Sequence, residues 1–428
     1  MGLNLLPGLP EGVPVPPTPP KENFILTYKQ YADIIEAPAD AHEAVAMVII
    51  ASLLNRNGVY IEFGHTKLPF DLWVLLISPS GMGRNTLVRL ADEVLKKAGL
   101  QDLVRSASWG SPQALYQDIA AHPRGLYQWE EMSVALKKLG SNQFNGTKEW
   151  ITDRYDNYKV PEPLLYRKTG KKGDTPPIMF AVAPRLNILA TSSEDWLTDS
   201  LAQSDTTGGF LPRFTILKLN GTEKVVPIPP APDDSLQDKL AEQLRKIAKL
   251  KGCVVLSKEV QSLYKDWYVK TRKRFMDQPN AALAMPFFNR LRIMVPKLAV
   301  IHEAAESGTL EVSPAAMKRA FETAAKIEAT IFELLPTGMN AEGAALAKMA
   351  DRIKTAGVVG ISKTQFTEAF KSVDHRSRME RLATLRDAGD IVPFGRPTKG
   401  RPLILYVFKD YVQGHQQQFP EDRVTNAL

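Results

Sequence analysis

The sequence predicts a mixed α/β chain in three parts: strands alternating with helices, a long helical stretch, and a terminal unit of three short helices with a β-ribbon. Three observations carry that expectation. Residues 70–98 run from an apolar segment through a glycine-punctuated turn into an amphipathic helix. Short apolar runs at 125–129, 186–191 and 214–219 alternate with helix-periodic stretches, as in an α/β sheet. Residues 375–408 read as a basic helix followed by two strands, which with two preceding helices make a winged helix-turn-helix.

Taken in order, residues 1–22 hold seven prolines and form an extended arm. In segment 23–69 the apolar spacing is helical from 28 to 55. Pro38 breaks that run, Asp40 is placed to N-cap a second helix, and 59–63 reads as a short strand. The core spans 70–226. After the strand–turn–helix come a helix at 111–121, a strand at 125–129, polar helices within 132–155 and a basic loop at 167–173. Runs at 178–183, 186–191 and 214–219 supply further strands. Pro227, Pro229, Pro230 and Pro232 mark a linker, and 235–335 is almost all helix. The domain at 342–410 has helices at 346–356, 362–370 and 375–388 and strands at 391–394 and 403–408, leaving 411–428 as a tail.

At 428 residues the chain has room for two or three domains with substantial cores. Apolar residues make up 44% and charged residues 24%, ordinary values for a globular protein. The single cysteine, Cys253, excludes a disulfide framework and any Cys-based zinc site, and points to a reducing, cytoplasmic setting. The longest apolar runs are too short to span a bilayer, and the Pro-rich start lacks the signal-peptide pattern, so no membrane partner is expected. The six histidines are scattered without metal-ligand spacing. Net charge is +7, and residues 340–410 carry thirteen Lys/Arg against eight Asp/Glu, a surplus of five. That concentration suits a polyanion contact; a solvated basic face is the plain alternative.

A strand feeding a glycine-rich turn at a helix N-terminus is how P-loops cradle phosphates, with a Lys on the outer phosphates and a Ser/Thr hydroxyl on magnesium. Here Ser80, Gly81, Met82 and Gly83 form the turn, and Arg84, Asn85 and Thr86 open the helix. Arg84 stands where Lys is expected, Asn85 where Ser/Thr is expected, and Ser78 where the leading Gly is expected. Arg keeps the charge but is a planar fork, so the exchange is not conservative. The Asn85 amide oxygen could ligate magnesium. An ordinary strand–helix turn is the competing reading.

Downstream, the strand at 126–129 ends in Glu130-Glu131. Glu130 is placed to hold magnesium and Glu131 to polarise a water. The bland reading is a pair of acids favoured by a helix dipole. The 186–191 run ends in Ser192-Ser193, a polar sensor at a strand end. Gly208-Gly209-Phe210-Leu211-Pro212-Arg213-Phe214 puts Arg213 on a tight turn, as a finger for phosphoryl charge in a neighbouring subunit or as a surface Arg.

Together with Asp153-Arg154-Tyr155-Asp156 and a helix running from Asn289-Arg290-Leu291-Arg292 to Lys297-Leu298-Ala299, this ordered set resembles the P-loop ATPases of phage and mobile-element replication modules. That family is akin to the helicase half of primase–helicase proteins. The resemblance covers residues 25–335, and its specificity lies in the order of the motifs. It implies a RecA/AAA+-like core with a helical lid at 235–338, ATP and Mg2+ bound between subunits of a ring, and Arg213 or Arg290 reaching the γ-phosphate. Three positions depart from the pattern: Arg84, Asn85, and Glu130 in place of Asp.

In the C-terminal module Met379, Leu382 and Leu385 fall at helical spacing and face inward, leaving Arg376, Arg378 and Arg381 for DNA. Arg396, Lys399 and Arg401 make a basic wing. The function expected is an ATP-binding, ring-forming DNA motor or loader in phage or mobile-element replication, its Pro-rich arm available to a replication protein. The alternative is a hydrolysis-deficient P-loop scaffold acting as a DNA-binding assembly factor or regulator.

Overall fold

The computed structural model describes residues 23–425 apart from 80–82, 107–108, 166–175, 196, 198–204, 206–208, 221–223, 280, 335–340, 372, 399 and 401; for 341–344 and 347 it describes the backbone only. The chain divides into two compact units, Met1–Leu335 and Pro336–Leu428.

The first unit is built on a mixed α/β framework. Its early strands are β1 (Tyr60–Phe63), β2 (Thr66–Pro69) and β3 (Trp73–Ile77), followed by β4 (Val104–Ser106), β5 (Leu126–Trp129), β6 (Asn187–Ser192) and β7 (Phe214–Lys218). Five of these form one all-parallel sheet in the order β4-β5-β6-β3-β7. Every residue of β3 is buried, as an unbroken Trp-Val-Leu-Leu-Ile run must be when both sheet faces are covered. The Ala39–Arg56 helix covers one face; it is buried from Ala41 to Asn55 except Glu43, and its small Ala and Ser side chains let it approach closely. The Arg84–Ala98 and Asp234–Ile247 helices pack on each other, and the Pro314–Leu334 helix packs on β7.

Segments 23–69, 70–226 and 235–335 thus share one interior. A second, three-stranded sheet ties them: β8 (Cys253–Val255) runs parallel to β1, which pairs antiparallel with β2. This strand lies in the stretch the sequence assigns almost wholly to helix, because three residues are too few to register as a period. Two other expectations are corrected. Residues 178–183 form no strand and contribute only the Leu164–Ile178 bridge. Asp40 is not the N-cap; Pro38 is, and the Asp40 carboxylate instead takes Lys326 at 2.8 Å.

His42 and His302 are buried in this interior, and burial pushes each down to about 4. Burial pushes Glu306, beside Arg319, up to about 7. Between the ordinary value of 6.5 and 4 the unfolded chain takes up protons at both histidines that the fold excludes, so stability falls with acid. Glu306 acts in the opposite sense, since the fold holds a proton that the unfolded chain sheds above 4.5. The melting temperature is therefore expected to drop from pH 6.5 toward 4, and to drop more steeply in Glu306→Gln.

In the second unit the helices Ala341–Thr355, Lys363–Ala369 and His375–Asp387 surround a core of Met349, Ile353, Phe366, Leu382, Leu385 and Tyr406. The Ser362–Gln365 capping box starts the second helix, and Asp374 caps the third. The strands β9 (Ile361–Ser362), β10 (Ile391–Arg396), β11 (Leu403–Phe408) and β12 (Arg423–Val424) form an antiparallel sheet in the order β12-β10-β11-β9. The tail expected after residue 410 is in fact packed: Val412–Gln418 is a helix, β12 extends the sheet, and His415 and Asp422 are buried. No helix among the described residues is long and apolar enough to cross a membrane.

Candidate functional site

The carboxyl ends of β3, β5 and β6 bring together Arg84, Glu131, Thr191 and Ser192. From β3 the chain crosses to β4 on one side, and from β6 it crosses back over β3 to β7 on the other. A parallel sheet opens its binding crevice at such a switch point. There the Ser78 amide donates to the Ser192 carbonyl at 3.0 Å, while the buried Ser78 hydroxyl has no partner among the described residues.

Gly83, with φ +65°, turns the chain into the Arg84–Ala98 helix and leaves it without a side-chain cap. The first helical bond runs from Leu87 to the Gly83 carbonyl at 3.0 Å, so the amides of Arg84, Asn85 and Thr86 are unused by the helix itself. Asn85 is exposed and Thr86 half-buried. Ser80, Gly81 and Met82 lie outside the described residues.

Arg84 Nη1 donates to Glu131 Oε2 at 3.1 Å. The other Glu131 oxygen accepts the Ser192 hydroxyl at 2.6 Å and the Ser133 hydroxyl at 3.0 Å, and it caps the Met132–Leu139 helix. The Thr191 hydroxyl donates to the Glu130 carbonyl, which ties the ends of β5 and β6 together. Glu130 itself is exposed. Behind it Gln128 donates to Asp92 of the Arg84–Ala98 helix at 2.6 Å. Burial pushes Asp92 up, and the Glu130 charge adds to the rise. Among the described residues no group of three or more His, Cys, Asp or Glu could hold a metal ion.

Arg213 and Arg290 occupy the opposite, amino-terminal edge. Arg213 directly precedes β7 and is 7% exposed, with its guanidinium on the Gly209 carbonyl and one Asp156 oxygen; the other Asp156 oxygen takes Arg290. Gly209 has φ +79°, a left-handed conformation that favours glycine. Below the pair, Arg185 donates to Asp71 at 3.0 Å and Lys297 to the Asp71 carbonyl at 3.0 Å. Burial pushes the Lys297 ammonium down to about 8.

The basic C-terminal surface is smaller than the sequence suggests. Arg376 is exposed and pairs with Glu380 one turn on, and Arg381 is half-buried. Two of the residues assigned to DNA have partners within the unit. Arg378 turns back to donate to the Phe370 and Val373 carbonyls at 2.9 and 2.8 Å, closing the end of the preceding helix. Arg396 forms a two-pronged bond with buried Asp422 and stacks on Phe419 at 4.2 Å. Lys399 and Arg401 lie outside the described residues. Arg396→Ala leaves a buried carboxylate facing only His415, so denaturant melts should show a loss of about 3 kcal/mol with DNA affinity unchanged.

Sequence reading missed the bridging role of Asp156 and the buried Asp71–Arg185–Lys297 group. A lone Asp ahead of an apolar run gives no period, and its partners lie more than a hundred residues away. No protein-family model and no curated protein matches the chain.

Proposed function

We propose that the chain is an ATP-binding, ring-forming motor or loader acting on DNA, with a P-loop core, a helical lid at 235–335 and a C-terminal winged helix. The observation that supports this best is the grouping of Arg84, Glu131, Thr191 and Ser192 beside a glycine-started helix at the switch point of a parallel sheet. The unused amides and the orphaned Ser78 hydroxyl suit phosphate oxygens. Magnesium usually takes one or two protein ligands, phosphates and water, so Asn85 and Glu130 suffice as its protein contacts. Bound there, the ion would neutralise phosphate charge.

On this reading Arg84 holds the outer phosphates. Glu131, oriented by Ser192 and Ser133, takes the proton of the attacking water. Arg213 and Arg290 lie a full strand length, ~16 Å, from their own crevice. They serve a neighbouring subunit, which is why a ring is proposed. On the winged helix the DNA contacts proposed among the described residues are Arg376, which is exposed, and Arg381, which is half-buried.

One feature favours the scaffold reading, in which nucleotide binds without turnover: the Arg84–Glu131 ion pair commits both groups to each other. Phosphate release measured with and without single-stranded DNA separates the two. Turnover above the Glu131→Gln background supports the motor. Nucleotide binding by calorimetry with turnover at that background supports the scaffold.

A further inference from the structure

A cleft of about 200 Å³ opens at the amino-terminal edge of the sheet, far from the Arg84–Glu131 group. Its walls come from the β1–β2 hairpin, the loop before β5 and the loop before β6. Tyr60 lies under the Lys67 ammonium at 4.6 Å, and Tyr158 lies under the Arg185 guanidinium at 4.3 Å. Asn55 and Arg185 are buried and already bonded to Asp71, so they form a neutral floor.

Lys67 and Arg124 are different. No carboxylate lines the cleft among the described residues. Arg124 donates through Nη1 to the Arg56 carbonyl at 3.2 Å, while its Nε is buried with no partner among the described residues. A buried N–H without an acceptor is costly unless something supplies one.

We propose that this cleft binds one nucleotide unit of single-stranded nucleic acid, with the phosphodiester on Arg124 and Lys67 and the base on the exposed side of Tyr158. Two cations in a cleft lined by no described carboxylate fit a singly charged diester better than a triphosphate, which takes more donors and a metal. Stacking on a tyrosine accepts any base, which suits a protein that tracks a strand without reading it. The inference rests on the DNA-binding half of the proposed function and gives it a place on the first unit.

The test is fluorescence anisotropy of the full chain with a labelled oligodeoxythymidine over a range of salt. Arg124→Ala and Lys67→Ala should each weaken binding and flatten the slope of log affinity against log salt by about 0.7. Tyr158→Ala should weaken binding roughly tenfold and leave that slope unchanged. Lys67 and Tyr158 are surface residues, so these two variants keep the test valid if Arg124→Ala fails to fold. Wild-type affinity and slope in the Lys67 and Tyr158 variants overturn the proposal. So does competition by free thymidine monophosphate as effective, per site, as that of the strand. ATP binding measured by calorimetry in the same variants, beside Arg84→Ala, keeps the two readings apart: loss at Arg84 alone upholds the nucleotide site whatever the cleft does.

Discussion

Glu131→Gln is expected to bind ATP at least as tightly as the native chain while its turnover falls about 10²–10⁴-fold. The amide keeps an oxygen for the Ser192 and Ser133 hydroxyls and for the helix cap, so the end of β5 should hold its shape. It loses the charge that engages Arg84. That guanidinium is then free for phosphate, which removes a competitor for the ligand. Calorimetry reads the first effect and phosphate release the second. A variant with weakened ATP binding would mean that Glu131 is chiefly a structural partner of Arg84. Unchanged turnover would remove the water-activating role.

The fold was legible wherever a segment is long or apolar enough to carry a period. The buried run of β3, the Arg84–Ala98 helix and the core face of Leu382 and Leu385 lie where the sequence placed them. What escaped is short or depends on distant partners. Strands β4 and β8, of three residues each, are defined by their neighbours in the sheet. The C-terminal segment carries no period, yet it is held by the buried His415–Asp422 pair and by Phe419 against Arg396.

The candidate site shows the same division. Residue types and order along the chain pointed to Arg84 and Glu131, and the structure brings them within 3.1 Å. Counting arginines on the basic helix and wing leaves their partners unknown, because charge alone does not say where a guanidinium points. Arg378 is spent on backbone carbonyls and Arg396 on an acid the sequence had assigned to a tail. The five-charge surplus of that region therefore overstates the charge available to a nucleic acid.

Arg213→Ala is expected to lower turnover by about 10³-fold or more, the usual worth of an arginine finger, while ATP affinity stays near native. Arg213 precedes β7, and the phosphate-side groups follow β3 and β5, so the two ends of a parallel sheet separate it from its own crevice. On the proposed reading its effect is exerted on a neighbour. Mixing Arg213→Ala protomers, whose Glu131 is intact, with Glu131→Gln protomers, whose Arg213 is intact, should restore part of the turnover. Each mixed interface with a native Arg213 facing a native Glu131 is competent. A structural role gives a different outcome, since Arg213 also anchors Asp156 and the Gly209 turn. In that case Arg213→Ala would lower the melting temperature, Arg213→Lys would rescue it, and mixing would restore nothing. The shared carboxylate of Asp156 sharpens the contrast. Asp156→Asn loosens both Arg213 and Arg290, and on the finger reading it should lower turnover without touching ATP affinity.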